Sequence, residues 1–195
     1  GIKIGLQYIT QRSPEEIRAL SKFNKPIFYD GKFFDIKNTL IESIKSLEEL
    51  NISYATVHLL NGLDSLKAAN EAAQKINLNL LGVSILTSFG NDDLFNLGFK
   101  DKMEDQVKRL IKIAMTANLY GVICSPLEIK MIKKIAPKLK CFTPGIRFND
   151  NKDDQVRIMN PNDAIKAGSD CLIIGRPITI GDPKKNIQKI LSSID

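Results

Sequence analysis

The chain has 195 residues, 43% of them hydrophobic and 26% charged, with a formal net charge of +6. Such a composition belongs to an ordinary globular domain with a full-sized core and excludes a disordered or low-complexity chain. The basic residues are spread along the chain without a long basic tract, which argues against nucleic acid as a partner, and no apolar run approaches the roughly 18–20 residues of a membrane span. One soluble cytoplasmic domain over residues 1–195 is expected, with no signal peptide and no membrane partner.

Short apolar runs alternate with amphipathic stretches from the first residues onward. Strands are expected at Ile2–Gly5, Pro26–Asp30, Tyr54–His58, Leu80–Leu86, Tyr120–Cys124, Lys140–Thr143 and Cys171–Gly175. Several are apolar on consecutive residues, as parallel strands buried on both faces are. Leu40, Ile41, Ile44 and Leu47 fall on one helical face, as do Met103, Val107, Leu110, Ile111 and Ala114. Ser13-Pro14, Ser125-Pro126, Asn160-Pro161 and Asp182-Pro183 each place a capping side chain before a proline, and Ser13…Glu16 and Ser125…Glu128 complete capping boxes. Cys124, Cys141 and Cys171 have no disulfide or metal-ligand spacing and read as buried thiols in a reducing compartment.

Seven βα units in alternation predict an α/β fold with a parallel sheet, and both a doubly wound sheet and a TIM (β/α)8 barrel fit. No GxGxxG follows the first strand, which disfavours the dinucleotide-binding sheet. A barrel needs eight strands; the chain starts almost inside one, so the first βα unit reads as missing from the sequence. The polar stretch from Pro144 to Met159 is too long for a simple connector, and in a barrel it is a lid over the face where active sites form.

The densest chemistry lies in Asp30-Gly31-Lys32-Phe33-Phe34-Asp35-Ile36-Lys37-Asn38-Thr39. Asp30 and Lys32 alternate onto one face of a strand end, and Asp35 follows where the strand gives way to a helix. Carboxylates around an ammonium keep it charged in a partly desolvated site, and the ammonium can protonate a carbanion; a surface salt bridge is the plain alternative. Lys3, at another strand, projects towards the same mouth or is simply a solvated lysine near a terminus. Thr143-Pro144-Gly145-Ile146-Arg147 leads into the long loop, which carries Gln155. Gly175-Arg176-Pro177 leaves the last strand, where backbone N–H groups and a guanidinium can converge on a phosphate. His58, the only histidine, reads as an imidazole satisfied by hydrogen bonds at the rim, and no acidic or histidine cluster has transition-metal spacing.

On these stretches the chain resembles the bacterial type of the orotidine 5′-phosphate decarboxylase family over essentially its whole length. The carriers are Ile2–Gly5, the Asp-x-Lys-x-x-Asp-Ile-x-Asn-Thr block from Asp30 to Thr39, Thr56-Val57-His58, Val83–Ser88, Gly121–Ser125, Thr143–Arg147, Asp154-Gln155 with Arg157-Ile158-Met159, and Gly175–Thr179. The resemblance implies a homodimeric TIM barrel that converts orotidine 5′-monophosphate to uridine 5′-monophosphate without metal or organic cofactor. By match, Lys32 is the proton donor to C6, Asp30 lies beside the substrate carboxylate, and Lys3 binds the ribose region. Asp35 and Thr39 reach the neighbouring subunit's site, with Ile36 also among the substrate-binding residues. Thr87 and Ser88 contact the pyrimidine, while Arg147, Gln155, Gly175 and Arg176 serve the phosphate. The sequence departs from the family in lacking the first-strand aspartate that contacts ribose, and Lys37 stands where many relatives carry proline. Mg²⁺-dependent sugar-phosphate decarboxylases of the same superfamily share Asp-x-Lys-x-x-Asp but carry a glutamate ligand where Lys3 stands. A non-catalytic nucleotide-binding barrel is the rival from another class.

Overall fold

The computed structural model describes residues 1–148 and 157–194, and in them seven strands alternate with helices. The strands are β1 (Ile2–Gly5), β2 (Ile27–Phe33), β3 (Tyr54–His58), β4 (Asn79–Val83), β5 (Gly121–Ile123), β6 (Lys140–Thr143) and β7 (Cys171–Leu172). The chain divides into two compact units, Gly1–Ser84 with Lys112–Val122, and Ile85–Ile111 with Ile123–Asp195.

In the first unit β1, β2, β3 and β4 pair in chain order and in parallel, with Ile2 opposite Ile27, Phe28 opposite Tyr54 and Tyr54 opposite Asn79. Parallel neighbours need a crossover, and helices Lys37–Lys45 and Leu63–Lys75 supply two of them, packed against each other. Leu40 and Ile44 of the former and Leu66, Ala69 and Ala73 of the latter are buried with Val57 and Leu80 of the sheet. The helical period read from the sequence therefore marks the buried faces.

In the second unit β6 and β7 are parallel, Phe142 opposite Cys171, and the N–H of Cys124 donates to the carbonyl of Phe142 at 3.2 Å. Val107, Leu110 and Ile111 of helix Met103–Thr116 are buried there, as are Ile129 and Ile132 of helix Ile129–Ile135. Cys124 and Cys141 are buried free thiols and Cys171 is half-buried.

All four expected caps form. Ser13 and Ser125 each complete a capping box, with Glu16 and Glu128 respectively. The Asn160 side chain accepts from the N–H of Asp163, and that of Asp182 from Lys184 and Lys185.

Three strand ends differ from expectation by three residues each, and the limits of β5 and the starts of β2 and β4 by one. β2 runs on through Phe33 because Lys32 takes a left-handed backbone, φ +48°, and the β2–β3 register shifts between Tyr29 and Phe33, a bulge and not a strand end. β4 stops at Val83: the chain turns beyond it, and the carbonyl of Leu86 accepts the N–H of Phe89 at 2.9 Å. β7 ends at Leu172, although the N–H of Ile173 still donates to Thr143 at 2.9 Å. Among the described residues no helix is long and apolar enough to cross a membrane.

Candidate active site

In the first unit three neighbouring strands, β1, β2 and β3, bring one carboxylate between two ammonium groups. Lys32 Nζ donates to Asp30 Oδ1 at 2.8 Å and Lys3 Nζ to Asp30 Oδ2 at 3.3 Å. Thr56, fully buried on β3, donates its hydroxyl to Asp30 Oδ1 at 3.1 Å and accepts the backbone N–H of Lys32 at 2.8 Å. The Asp30 side chain is only 13% exposed, whereas Lys3 and Lys32 keep about a third of theirs open, at 32% and 33%. Burial pushes the Asp30 carboxyl up, but the charges of Lys32 and Lys3 and their hydrogen bonds outweigh it and hold Asp30 below its usual range.

The Asp30–Lys32 convergence expected from strand alternation therefore exists, by a different local geometry. A left-handed lysine costs roughly 1–2 kcal/mol relative to ordinary strand backbone. Thr56 holds that conformation by taking the Lys32 N–H, and Gly31 permits it, since a Cβ there would come within 2.7 Å of the Tyr29 ring. Thr56 entered the sequence reading only as part of a matching run; its contact with a residue 24 positions away carries no local signal.

Asp35 stands apart from this cluster. It is exposed, its Oδ1 accepts the N–H of Ile36 at 2.7 Å, and its own N–H donates to Asn61 at 3.1 Å. Asn61 also donates to the carbonyls of Phe33 and His58, which fixes the turn that presents Asp35. Among the described residues Asp35 makes no ion pair with Lys32, so within one chain the ammonium has one carboxylate and not two. Ile36 and Thr39 are exposed beside it. Lys37 pairs with Asp64 at 2.7 Å on the surface. His58 accepts the N–H of Leu60 on Nδ1 at 3.3 Å, and burial with the nearby Lys32 charge lowers its pKa, which fits an uncharged hydrogen-bonded imidazole.

The second unit carries the remaining candidates. Thr87 is half-buried and Ser88 exposed in the turn beyond β4. Arg147 is buried, and its N–H donates to the carbonyl of Met159 at 3.0 Å while Met159 donates back to Gly145 at 3.1 Å. Gly145 has φ +76°, and a Cβ there would meet the Arg157 carbonyl at 2.7 Å, so this close return of the chain requires glycine. Gly175 and Arg176 are exposed after β7, and a Cβ at Gly175 would meet nothing within 4 Å. Gln155 and the central part of the expected lid lie outside the described residues.

One pair escaped the sequence reading. Arg157 and Glu128 form a buried ion pair, and the other guanidinium nitrogen of Arg157 donates to the carbonyl of Leu86 at 2.9 Å and of Ile85 at 3.4 Å. Glu128 was legible as the capping-box partner of Ser125, which it is, and the second role has no local signature.

A parallel α/β enzyme that works with ammonium and carboxylate side chains on neighbouring strands is the class this fold and cluster define. The family model for "Orotidine 5'-phosphate decarboxylase / HUMPS family" matches residues 1–190. Among curated relatives, the orotidine 5′-phosphate decarboxylase of Wolbachia pipientis subsp. Culex pipiens is 38% identical over 195 residues, covering 99% of this chain and 86% of that protein. The one from Prochlorococcus marinus is 41% identical over 205 residues, covering 100% and 85%. The crystal structure of the Lactobacillus acidophilus orotidine 5′-phosphate decarboxylase superposes with a TM-score of 0.86 at 32% identity, covering 99% of this chain and 86% of that one. The chain belongs to the orotidine 5′-phosphate decarboxylase family.

Proposed function

We propose that this chain decarboxylates orotidine 5′-monophosphate to uridine 5′-monophosphate and CO₂ in pyrimidine biosynthesis, as a single barrel domain over residues 1–195 using neither metal nor organic cofactor. The observation that carries the reading is the Lys3–Asp30–Lys32 cluster on a family member. The C6–carboxylate bond breaks, its electron pair stays on C6, and CO₂ leaves. Lys32 Nζ then gives its proton to C6 and regains one from solvent. An ammonium about 4 Å from the developing carbanion is worth roughly 4 kcal/mol at an effective dielectric near 20. Asp30 lies beside the departing carboxylate and pairs with both lysines. Lys3, beyond Asp30, meets the ribose hydroxyls.

Thr87 and Ser88 contact the pyrimidine, and Arg147, Gln155, Gly175 and Arg176 serve the phosphate. Binding energy from that remote group orders the reacting end. A TIM-type barrel is part of the same reading, supported by the parallel strands that follow one another in chain order with helices between them. So are a homodimer and a cytoplasmic location. Asp35 is an exposed carboxylate between Phe34, 62% exposed, and Ile36, 74% exposed, and this suits a surface that a second subunit covers. There Asp35 and Thr39 complete the neighbour's site.

Two experiments test these roles. Lys32→Ala should bind uridine 5′-monophosphate yet release no CO₂ from orotidylate; near-normal turnover would sink the role of Lys32. Mixing inactive Lys32→Ala with inactive Asp35→Ala protein should restore part of the activity, because one site in each mixed dimer is whole. No recovery from a proven mixed dimer would remove Asp35 from the neighbour's site.

A further inference from the structure

We infer that Arg157 and Glu128 are positioning residues for the pyrimidine end of the substrate site, acting through the turn that carries Thr87 and Ser88. The inference rests on the decarboxylase reading above and extends it to two residues that touch no substrate.

Glu128 is buried and accepts the N–H of Ser125 at 3.0 Å, so its carboxylate is fixed by the chain leaving β5. Its other oxygen takes one nitrogen of the Arg157 guanidinium. The second nitrogen donates to the carbonyl of Leu86 at 2.9 Å and reaches that of Ile85 at 3.4 Å, the two residues before Thr87. Both side chains are close to fully enclosed, 11% and 7% exposed. One guanidinium thus ties the peptide entering the Thr87 turn to the segment after β5. The close approach of its own backbone to Gly145 fixes the base of the Arg157 side chain.

The turn needs such a holder. β4 ends at Val83, so Ser84 to Ser88 have left the regular strand. Residues that recognise a planar base must be held to fractions of an ångström if they are to favour a transition state. A planar fork reaches a carboxylate and a carbonyl from two nitrogens at a fixed separation; a lysine carries its donors on a single nitrogen at the end of a flexible stem and does not reproduce that geometry.

Arg157→Lys is the variant of choice, because it keeps a counter-charge for Glu128 and removes only the fork. Affinities for uridine 5′-monophosphate and for ribose 5-phosphate, which lacks the base, are measured by calorimetry on wild type and variant, with thermal melting to show folding. The expected result is a loss of about tenfold in uridine 5′-monophosphate affinity, the scale of one good hydrogen bond. Ribose 5-phosphate affinity should stay within about twofold of wild type. Glu128→Gln, which keeps the shape and loses the charge, should show the same selective loss at smaller size, and it decides the matter if Arg157→Lys does not fold. Equal weakening of both ligands, or no change in either, from a folded variant overturns the proposal while wild type still turns over orotidylate. A wild type that neither binds uridine 5′-monophosphate nor consumes orotidylate overturns the decarboxylase reading, and the proposal with it.

Discussion

Asp30 and Glu128 are both carboxylates taken largely out of water beside cations, yet they titrate in opposite directions. Burial pushes each upward; at Asp30 the charges and hydrogen bonds of Lys32 and Lys3 win and the pKa falls, whereas at Glu128 Arg157 and the Ser125 N–H do not make up the loss and it rises. The cations differ as much as the acids. Lys3 and Lys32 remain about a third open, so their ammonium groups can meet a ligand, while Arg157 is enclosed and its fork is taken by Glu128 and two carbonyls. An excess of reachable cation over carboxylate makes chemistry possible; an enclosed one-to-one pair fixes geometry.

The largest expected effect separates the two regions by function. Lys32→Gly should lower turnover by roughly 10³–10⁴-fold through loss of the proton donor, yet change stability by no more than about 1 kcal/mol, because relief of the left-handed backbone at residue 32 offsets the loss of one of the two cations beside Asp30. Denaturant unfolding beside a turnover assay reads both; a variant destabilised by more than that would mean that Lys32 holds the fold as well as the reaction. Arg157→Ala should do the opposite, costing about 3–5 kcal/mol of stability by leaving Glu128 buried without a counter-charge. A loss under about 1 kcal/mol would show that water reaches the pair.

The pH dependence sharpens the contrast at smaller scale. Asp30, with its folded pKa depressed, contributes stability that is present above the ordinary carboxylate range and lost as pH falls through its lowered value. Glu128, with its folded pKa raised, contributes stability that is present below the ordinary range and lost as pH rises through its raised value. Asp30→Asn should therefore flatten the acid side of the stability profile, and Glu128→Gln should flatten the part just above the usual carboxylate range. Exchange of these two signs in urea unfolding across pH 3–8 would break the comparison. The smallest effect belongs to the surface: Lys37→Ala, which removes the open pair with Asp64, should change stability by no more than about 1 kcal/mol.

The fold was legible to the extent that it is periodic or locally capped. Leu40, Ile44, Val107 and Leu110 are buried as their spacing requires, and Ser13, Ser125, Asn160 and Asp182 cap as their proline neighbours announce. The ends of β2, β4 and β7 were not legible: β2 is carried on to Phe33 past a left-handed Lys32 held by Thr56, 24 residues away, and β4 and β7 stop inside runs whose sequence shows no break. The same limit holds for the site. Lys3, Asp30 and Lys32 stand out because ammonium and carboxylate within apolar strand runs are rare and carry chemistry. Thr56, Glu128 and Arg157 act through partners 24 to 72 residues away, and no short motif records that.

The most direct test of cofactor-free decarboxylation is the ultraviolet absorbance of orotidylate after addition of the purified protein in the presence of EDTA. The expected result is rapid loss of the orotidylate band, unchanged by the chelator and matched by release of one CO₂ per nucleotide. An absorbance that stays constant with folded protein, or that falls only when Mg²⁺ is restored, would contradict it.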